Sequence, residues 1–283
     1  MRHLSIDLET YSEIDIKLGI PKYVECPNFK ILLFAYAWDF SEVHVVDLTH
    51  GEEVPTDVID ALTDPEVTKH AFNAAFELHC LHRSGIPTPC DQWACTQLHG
   101  LYLGYPKSLD GIGKALGLPQ DKKKSASGKA LIRYFCLPCK PTKRNGGRTR
   151  NLPEHDPEKW EAFKAYNAQD VVTEMEVCRR LAAFPVPNKL QAEWVTDQKI
   201  NRNGVLLDME LVRGALQIDA AEKERLMQEA AAITGLDNPN SRDQLLKWLN
   251  DNTNVEMEKL TKESVAEALA VADDTAAKLL DIR

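Results

Sequence analysis

The segment HLSIDLETYS, His3 to Ser12, restricts the fold more than any other. Leu4, Ile6 and Leu8 alternate with Ser5, Asp7 and Glu9, a period of two that predicts a strand over Leu4–Thr10 with one apolar face. Residues two apart in a strand point the same way, so Asp7 and Glu9 stand side by side on the other face. Carboxylates that close repel, and each disfavours the other's ionised form unless something positive lies between them. Whatever packs against this strand has to offset that repulsion.

The pattern continues as a β-meander. Lys30–Trp38 (KILLFAYAW) and Glu42–Leu48 (EVHVVDL) read as strands joined by short connections, as antiparallel neighbours require. Pro55–Thr63 reads as a helix, Thr68–Phe72 as a strand, and Ala74–His82 as a helix ending before Ser84-Gly85. DQWACTQLHGLYLG reads as a strand running into a helix. SLDGIGKALGL reads as a helix with Ser108 at its N-cap and Leu109, Ile112 and Leu116 at helical spacing. Lys140–Pro153 (KPTKRNGGRTRNLP) has the Pro, Gly and Asn of a loop. The run from His155 to Phe184 reads as one long amphipathic helix, acidic at its start and basic at its end, as the macrodipole favours. A Pro-punctuated linker, Phe184–Lys189, then separates a domain over residues 1–185 from a mostly helical segment over 186–283.

Charge and cysteine usage narrow the class. The net charge of −9 argues against a generally basic nucleic-acid binder, yet Lys122–Arg150 holds ten Lys/Arg and no Asp or Glu. A basic island on an acidic body suits a local contact with a polyanion, the alternative being a solvated loop. Seven cysteines, an odd number without a signal-peptide pattern, suit reduced thiols in a cytosolic compartment. No apolar run approaches the roughly 20 residues that span a bilayer, so no membrane contact is expected.

Two more places share the chemistry of the opening pair. Tyr166 and Asp170 of YNAQD are four apart on the long helix and share a face. Asn73 and Glu77 of FNAAFE are spaced alike where a strand runs into a helix. Asp7, Glu9, Glu77 and Asp170 together make a carboxylate set of the kind that holds Mg²⁺ or Mn²⁺, which prefer oxygen ligands. Two such ions about 3.5–4 Å apart serve in-line phosphoryl displacement.

SIDLET, FNAAFE and YNAQD resemble the three motifs of the DEDD exonuclease superfamily in its tyrosine-bearing branch. The stretches around them resemble the proofreading domain of family A (DNA polymerase I-type) DNA polymerases, particularly phage ones, over nearly all of residues 1–185. The resemblance implies an α/β domain of ribonuclease H-like fold, a mixed sheet flanked by helices. It also implies two-metal-ion 3′–5′ hydrolysis of DNA ends that releases nucleoside monophosphates. Asp7, Glu9 and Asp170 become metal ligands, with Asp7 bridging both ions, and Tyr166 orients the attacking water. Where the family carries an aspartate in the second motif, this chain has Glu77, whose extra methylene could still reach a metal or could weaken the site. Asn73 matches the asparagine preceding that acid. Leu8 and Thr10 become backbone contacts to a terminal nucleotide, while Phe34, Phe72 and Tyr102 are read first as core residues and only second as base-stacking ones.

NRNGVLLDMELV and LDNPNSRDQLLKWL resemble the region that leads into the thumb of those polymerases. No palm or fingers motif follows, so polymerisation by this chain alone is not expected; the alternatives are a fragment whose polymerase half is removed, a piece of a split polymerase whose other half is encoded separately, and an independent exonuclease. The expected partner is a single-stranded DNA 3′ end or frayed primer terminus, in the cytoplasm of a bacterial host if the chain is phage-encoded. Lys140, Lys143, Arg144, Arg148 and Arg150 are the candidate phosphate contacts, which position DNA without reading its sequence. Cys136 and Cys139 form a CxxC without a second pair, so thiols rather than zinc are expected there. His3, His70, His79 and His82 are read as satisfied or surface side chains. Competing readings are a DNA-binding scaffold with a weak or silent nuclease site and an RNA-trimming exonuclease.

Overall fold

The computed structural model describes residues 2–119 and 128–282; Lys122, Lys123 and Lys124 of the basic island lie outside them. The alternating N-terminal segment forms β1 (Arg2–Tyr11). Leu4, Ile6 and Leu8 enter the main apolar core with Leu78, Leu81 and Trp93, whereas Tyr11 joins a second cluster with Phe135, Trp160 and Phe163. β2 (Lys30–Trp38) pairs antiparallel with β1, and β3 (Val43–Asp47) antiparallel with β2. β4 (Val67–Ala71) and β5 (Trp93–Cys95) extend the sheet in parallel on the other side of β1. The order β3-β2-β1-β4-β5 makes β1 the central strand. Its register with β2 shifts between Glu9 and Thr10, an irregularity of the kind that re-aims a side chain beside a functional site.

Helices close both faces of this sheet, the mixed α/β arrangement expected of a ribonuclease H-like domain. α1 (Ile20–Val24), α2 (Thr56–Ala61) and α3 (Ala75–Arg83) contribute Val24, Val58 and Leu78 to the main core. α4 (Thr96–Tyr102) follows β5 directly. α5 (Leu109–Ala115) starts where the sequence predicts, with the Gly111 backbone N–H donating to Ser108 Oγ at 3.1 Å. α6 (Gly128–Phe135), an element outside the sequence expectations, buries Leu131 and Phe135 in the second cluster.

α7 (Pro157–Leu181) positions the site. Asp156 caps it, accepting from the Lys159 backbone N–H, and Pro157 occupies the first turn, where a missing N–H costs nothing. The helix packs against β1, β2 and β3. Near its start Trp160 Nε1 donates to Asp47 Oδ2 at 2.6 Å, at the end of β3. Asp47 also accepts from Thr49 and from His50 Nδ1.

Packing divides the chain into two compact units, Met1–Gly204 and Val205–Arg283, the helix after the Phe184–Lys189 segment being counted with the first. That helix, α8 (Asn188–Asn203), returns to the sheet unit instead of leaving it. Trp194 and Val195 pack against the main core, Gln191 Nε2 donates to the Trp93 carbonyl, and Arg202 bonds Thr88. The second unit holds α9 (Met209–Thr234), α10 (Arg242–Asn252), α11 (Lys262–Leu269) and α12 (Asp274–Asp281) around Leu245, Leu249, Val255 and Leu279. No helix among the described residues is long and apolar enough to cross a membrane.

Burial disfavours the ionised Asp47 carboxyl, but bonds from Thr49, Trp160 and His50 outweigh it and hold the group below the ordinary aspartate range. Asp47→Ala leaves the Trp160 N–H buried and unpaired, a loss of about 1–3 kcal/mol in urea unfolding at neutral pH. Because the folded carboxyl titrates lower than the unfolded one, this contribution is complete above about pH 3.9. It should fade as pH falls from there through the depressed value, narrowing the gap between the two proteins.

Candidate active site

The site is built from one strand and two helices. Asp7 and Glu9 leave β1 on one face, and Tyr166 and Asp170 lie one turn apart on α7, which lies against β1. Ligand oxygens of Asp7, Glu9 and Asp170 lie within 4.8 Å of one another. Glu9 and Asp170 are buried and Asp7 half-buried. The sequence placed these three residues together, and the fold brings them together.

Glu77 stands in the first turn of α3 and is 2% exposed. Burial raises its carboxyl well above the ordinary glutamate range, and the charges of Asp7 and Glu9 push the same way. Its Oε2 is buried without a hydrogen-bond partner among the described residues. A buried carboxylate oxygen with no donor, close to further carboxylates, fits a divalent cation better than a hydrogen-bonded structural role. Asn73, four residues earlier, adopts a left-handed conformation (φ 68°), which asparagine tolerates better than most residues, and its carbonyl accepts from the Phe76 N–H.

Tyr166 is buried, its ring parallel to that of Phe163 at 6.2 Å. Burial, then the charges of Asp170, Glu9 and Asp7, raise its phenol beyond the ordinary tyrosine range. It therefore stays a neutral hydroxyl able to donate. Gly128, at the start of α6, lies against the ring: a Cβ there would fall 1.9 Å from Tyr166 Cε2.

Two contacts of the site fall on residues not assigned to it from the sequence. Asn167 Nδ2 donates to Asp7 Oδ2 at 2.7 Å and to the Asp7 carbonyl at 3.3 Å, fixing the acid on β1 to the helix that carries Asp170. Its place inside YNAQD, beside Tyr166, was the available signal. Cys136 is buried with its Sγ donating to Glu9 Oε2 at 3.8 Å, while Cys139 Sγ faces the Arg148 carbonyl at 3.4 Å.

The remaining candidates are spread more widely. The Leu8 side chain belongs to the main core, and Thr10 Oγ1 pairs with Tyr23 Oη at 2.7 Å, so any ligand contact of theirs is through backbone groups. Phe34 is core, Phe72 packs beside Leu109 and Ile112, and Tyr102 is exposed. The basic loop is folded: Thr142 and Asn145 form a reciprocal cap, and the Cys139 N–H donates to the Thr149 carbonyl. Lys140, Lys143 and Arg144 are exposed on it. Arg148 Nε donates to Asn151 Oδ1, and Arg150 stacks on the Tyr11 ring at 3.7 Å, which anchors the loop to the end of β1. His3 and His70 pair at 2.8 Å, while His79 and His82 lie on α3.

Strand order and the acids on the central strand define a ribonuclease H-like domain with a carboxylate centre. A DNA polymerase of Bacillus phage SP02 is 46% identical to the chain over 287 residues, covering all of it. The resemblance to phage DNA polymerases thus extends along the whole chain, which spans 44% of that relative's length. Among solved structures, the POL domain of Pol1 from M. smegmatis in complex with DNA primer-template and dNTP matches all of this chain and 44% of that one. Its TM-score is 0.53 at 14% identity, which establishes a shared fold. Brucella melitensis NrnC with bound Mg2+ matches 71% of this chain and 86% of its own, with a TM-score of 0.44 at 17% identity. No protein-family model matches the chain.

Gly128→Ala forces the Tyr166 ring to move and should cost about 1–3 kcal/mol in urea unfolding, the usual penalty of overpacking. Tyr166→Ala removes the obstructing ring, so the double variant should lose clearly less than the sum of the two single losses.

Proposed function

We propose that this chain is a divalent-metal-dependent 3′–5′ exonuclease acting on single-stranded DNA ends, the proofreading module of a family A type polymerase. The observation that carries this reading is the meeting of Asp7, Glu9 and Asp170 within 4.8 Å at the central strand. Glu77, with its unpaired oxygen, and Tyr166, one turn from Asp170, complete the set. The all-oxygen donors suit Mg²⁺ or Mn²⁺. The phage relative favours DNA over RNA as substrate and the host cytoplasm as location. Its greater length suits a polymerase half working with this one.

Two bound ions would supply positive charge to both the attacking and the leaving oxygen. Asp7, Glu9, Glu77 and Asp170 would hold them. Asn167 holds the Asp7 carboxyl in a fixed orientation on the face that α7 covers. The Tyr166 hydroxyl orients a water in line with the bond to be broken. The water oxygen bonds to phosphorus as the P–O3′ bond breaks, giving a nucleoside 5′-monophosphate and a strand one nucleotide shorter with a free 3′-hydroxyl. Backbone groups at Leu8 and Thr10, together with Asn73, border the terminal nucleotide. Lys140, Lys143 and Arg144 take phosphates further along the strand, and Arg148 and Arg150 support them by fixing the loop. Binding should therefore weaken with salt.

A 5′-labelled single strand incubated with Mg²⁺ or Mn²⁺ should shorten to a descending ladder. Asp7→Ala or Asp170→Ala should slow release at least about 10²-fold with unchanged far-ultraviolet circular dichroism. Full activity in either variant would overturn the assignment. Tyr166→Phe should slow release while leaving Mn²⁺ affinity unchanged. Glu77→Gln should weaken metal binding, and unaltered affinity would remove Glu77 from the ligand set. A matched RNA strand, differing only in its 2′-hydroxyls, should be the poorer substrate.

A further inference from the structure

The spacing that joins Tyr166 to Asp170 continues along α7 through Glu174 to Cys178, and the last two residues face His70 of β4. Ligand atoms of His70, Glu174 and Cys178 lie within 4.8 Å of one another. The reaction described above uses none of them. Glu174 is 3% exposed; Thr96 Oγ1 donates to its Oε1, and the Ser5 hydroxyl of β1 also faces the carboxylate. His70 is buried, with Nδ1 at 3.8 Å from Cys178 Sγ and Nε2 at 2.8 Å from His3 Nδ1.

These distances are those of a metal site. Zinc bonds of about 2.3 Å to sulfur and about 2.0–2.1 Å to nitrogen, at a tetrahedral angle, set the two ligand atoms about 3.6 Å apart. A metal-binding histidine passes its other ring N–H to an acceptor, and His3 Nδ1 stands at that position for His70 Nε2. Thr96 and Ser5 fix the orientation of the carboxylate beside His70 and Cys178. An imidazole, a thiolate and a carboxylate suit a borderline-soft cation, whereas Mg²⁺ calls for oxygen alone. His70 and Cys178 also line a cavity of about 900 Å³, together with His3, His99 and Trp93.

We propose that His70 Nδ1, a Glu174 carboxylate oxygen and Cys178 Sγ bind a zinc-class divalent cation, with His3 supporting His70 and the fourth position open to the cavity. Such an ion ties β4 to α7 one turn beyond Asp170 and so helps to hold the carboxylate centre in register. It is independent of the nuclease reading, because neither its ligands nor its metal preference is shared with that centre.

Cobalt distinguishes the two sites, because only a thiolate ligand gives a near-ultraviolet charge-transfer band. Metal-free full-length chain titrated with Co²⁺ should develop this band to saturation at one equivalent, and Zn²⁺ but not excess Mg²⁺ should abolish it. Cys178→Ser should lose the band, whereas Cys136→Ser, which removes the thiol beside Glu9, should keep it. Independently of any variant, Zn²⁺ alone should slow alkylation of Cys178 at least about tenfold by occupying its thiolate. Absence of the band in the wild-type chain, its survival in Cys178→Ser, or unprotected alkylation would each overturn the proposal.

Discussion

The hydrogen bond from Asn167 to Asp7, 2.7 Å long, joins the central strand to the helix that crosses it. Without that alignment the acids of β1 and the acid of α7 would be separate surface features. With it, oxygens of three carboxylates converge to within 4.8 Å of one another. The surrounding structure holds this arrangement in place. Trp160 fixes the start of α7 to Asp47, the stacked rings of Phe163 and Tyr166 fill the space beneath, and Arg150 on Tyr11 closes the end of β1.

One helix thereby contributes to two clusters of potential metal ligands. Tyr166, Asp170, Glu174 and Cys178 recur every four residues, and the stripe turns slowly around the helix axis as it advances, because four residues exceed one turn. The first pair faces the acids of β1 and the second faces His70 on β4. Burial pushes the Glu174 carboxyl up to about 7 despite its hydroxyl neighbours, and burial pushes His70 down to about 4. Both groups are thus held toward their neutral forms in a part of the core where a purely apolar helix face would have served.

Much of this was legible because the decisive patterns are local. Period-two alternation located β1, the apolar run KILLFAYAW gave β2 its bounds, and Ser108 capped α5 as its position implied. The spacing of Tyr166 and Asp170 placed them on one face. What escaped depends on contacts distant in sequence. α6 lies within the basic island, where its charges hide Leu131 and Phe135 as an apolar face. FPVPNK reads as an exit from the domain, yet Gln191, Trp194 and Arg202 bring α8 back to the sheet unit. His70 and Cys178 are more than a hundred residues apart, and no local pattern pairs them. Glu77 stands where an aspartate was expected; its Oε2 is buried and unpaired, but it is not among the three acids whose oxygens lie within 4.8 Å of one another.

The central claim is that Asp7, Glu9, Glu77 and Asp170 hold divalent cations. Anomalous scattering from crystals of the full chain grown with Mn²⁺ tests it most directly. The account predicts two peaks about 3.5–4 Å apart, bridged by Asp7 and flanked by Glu9, Glu77 and Asp170. Saturating Mn²⁺ with no peak among these carboxylates would contradict it.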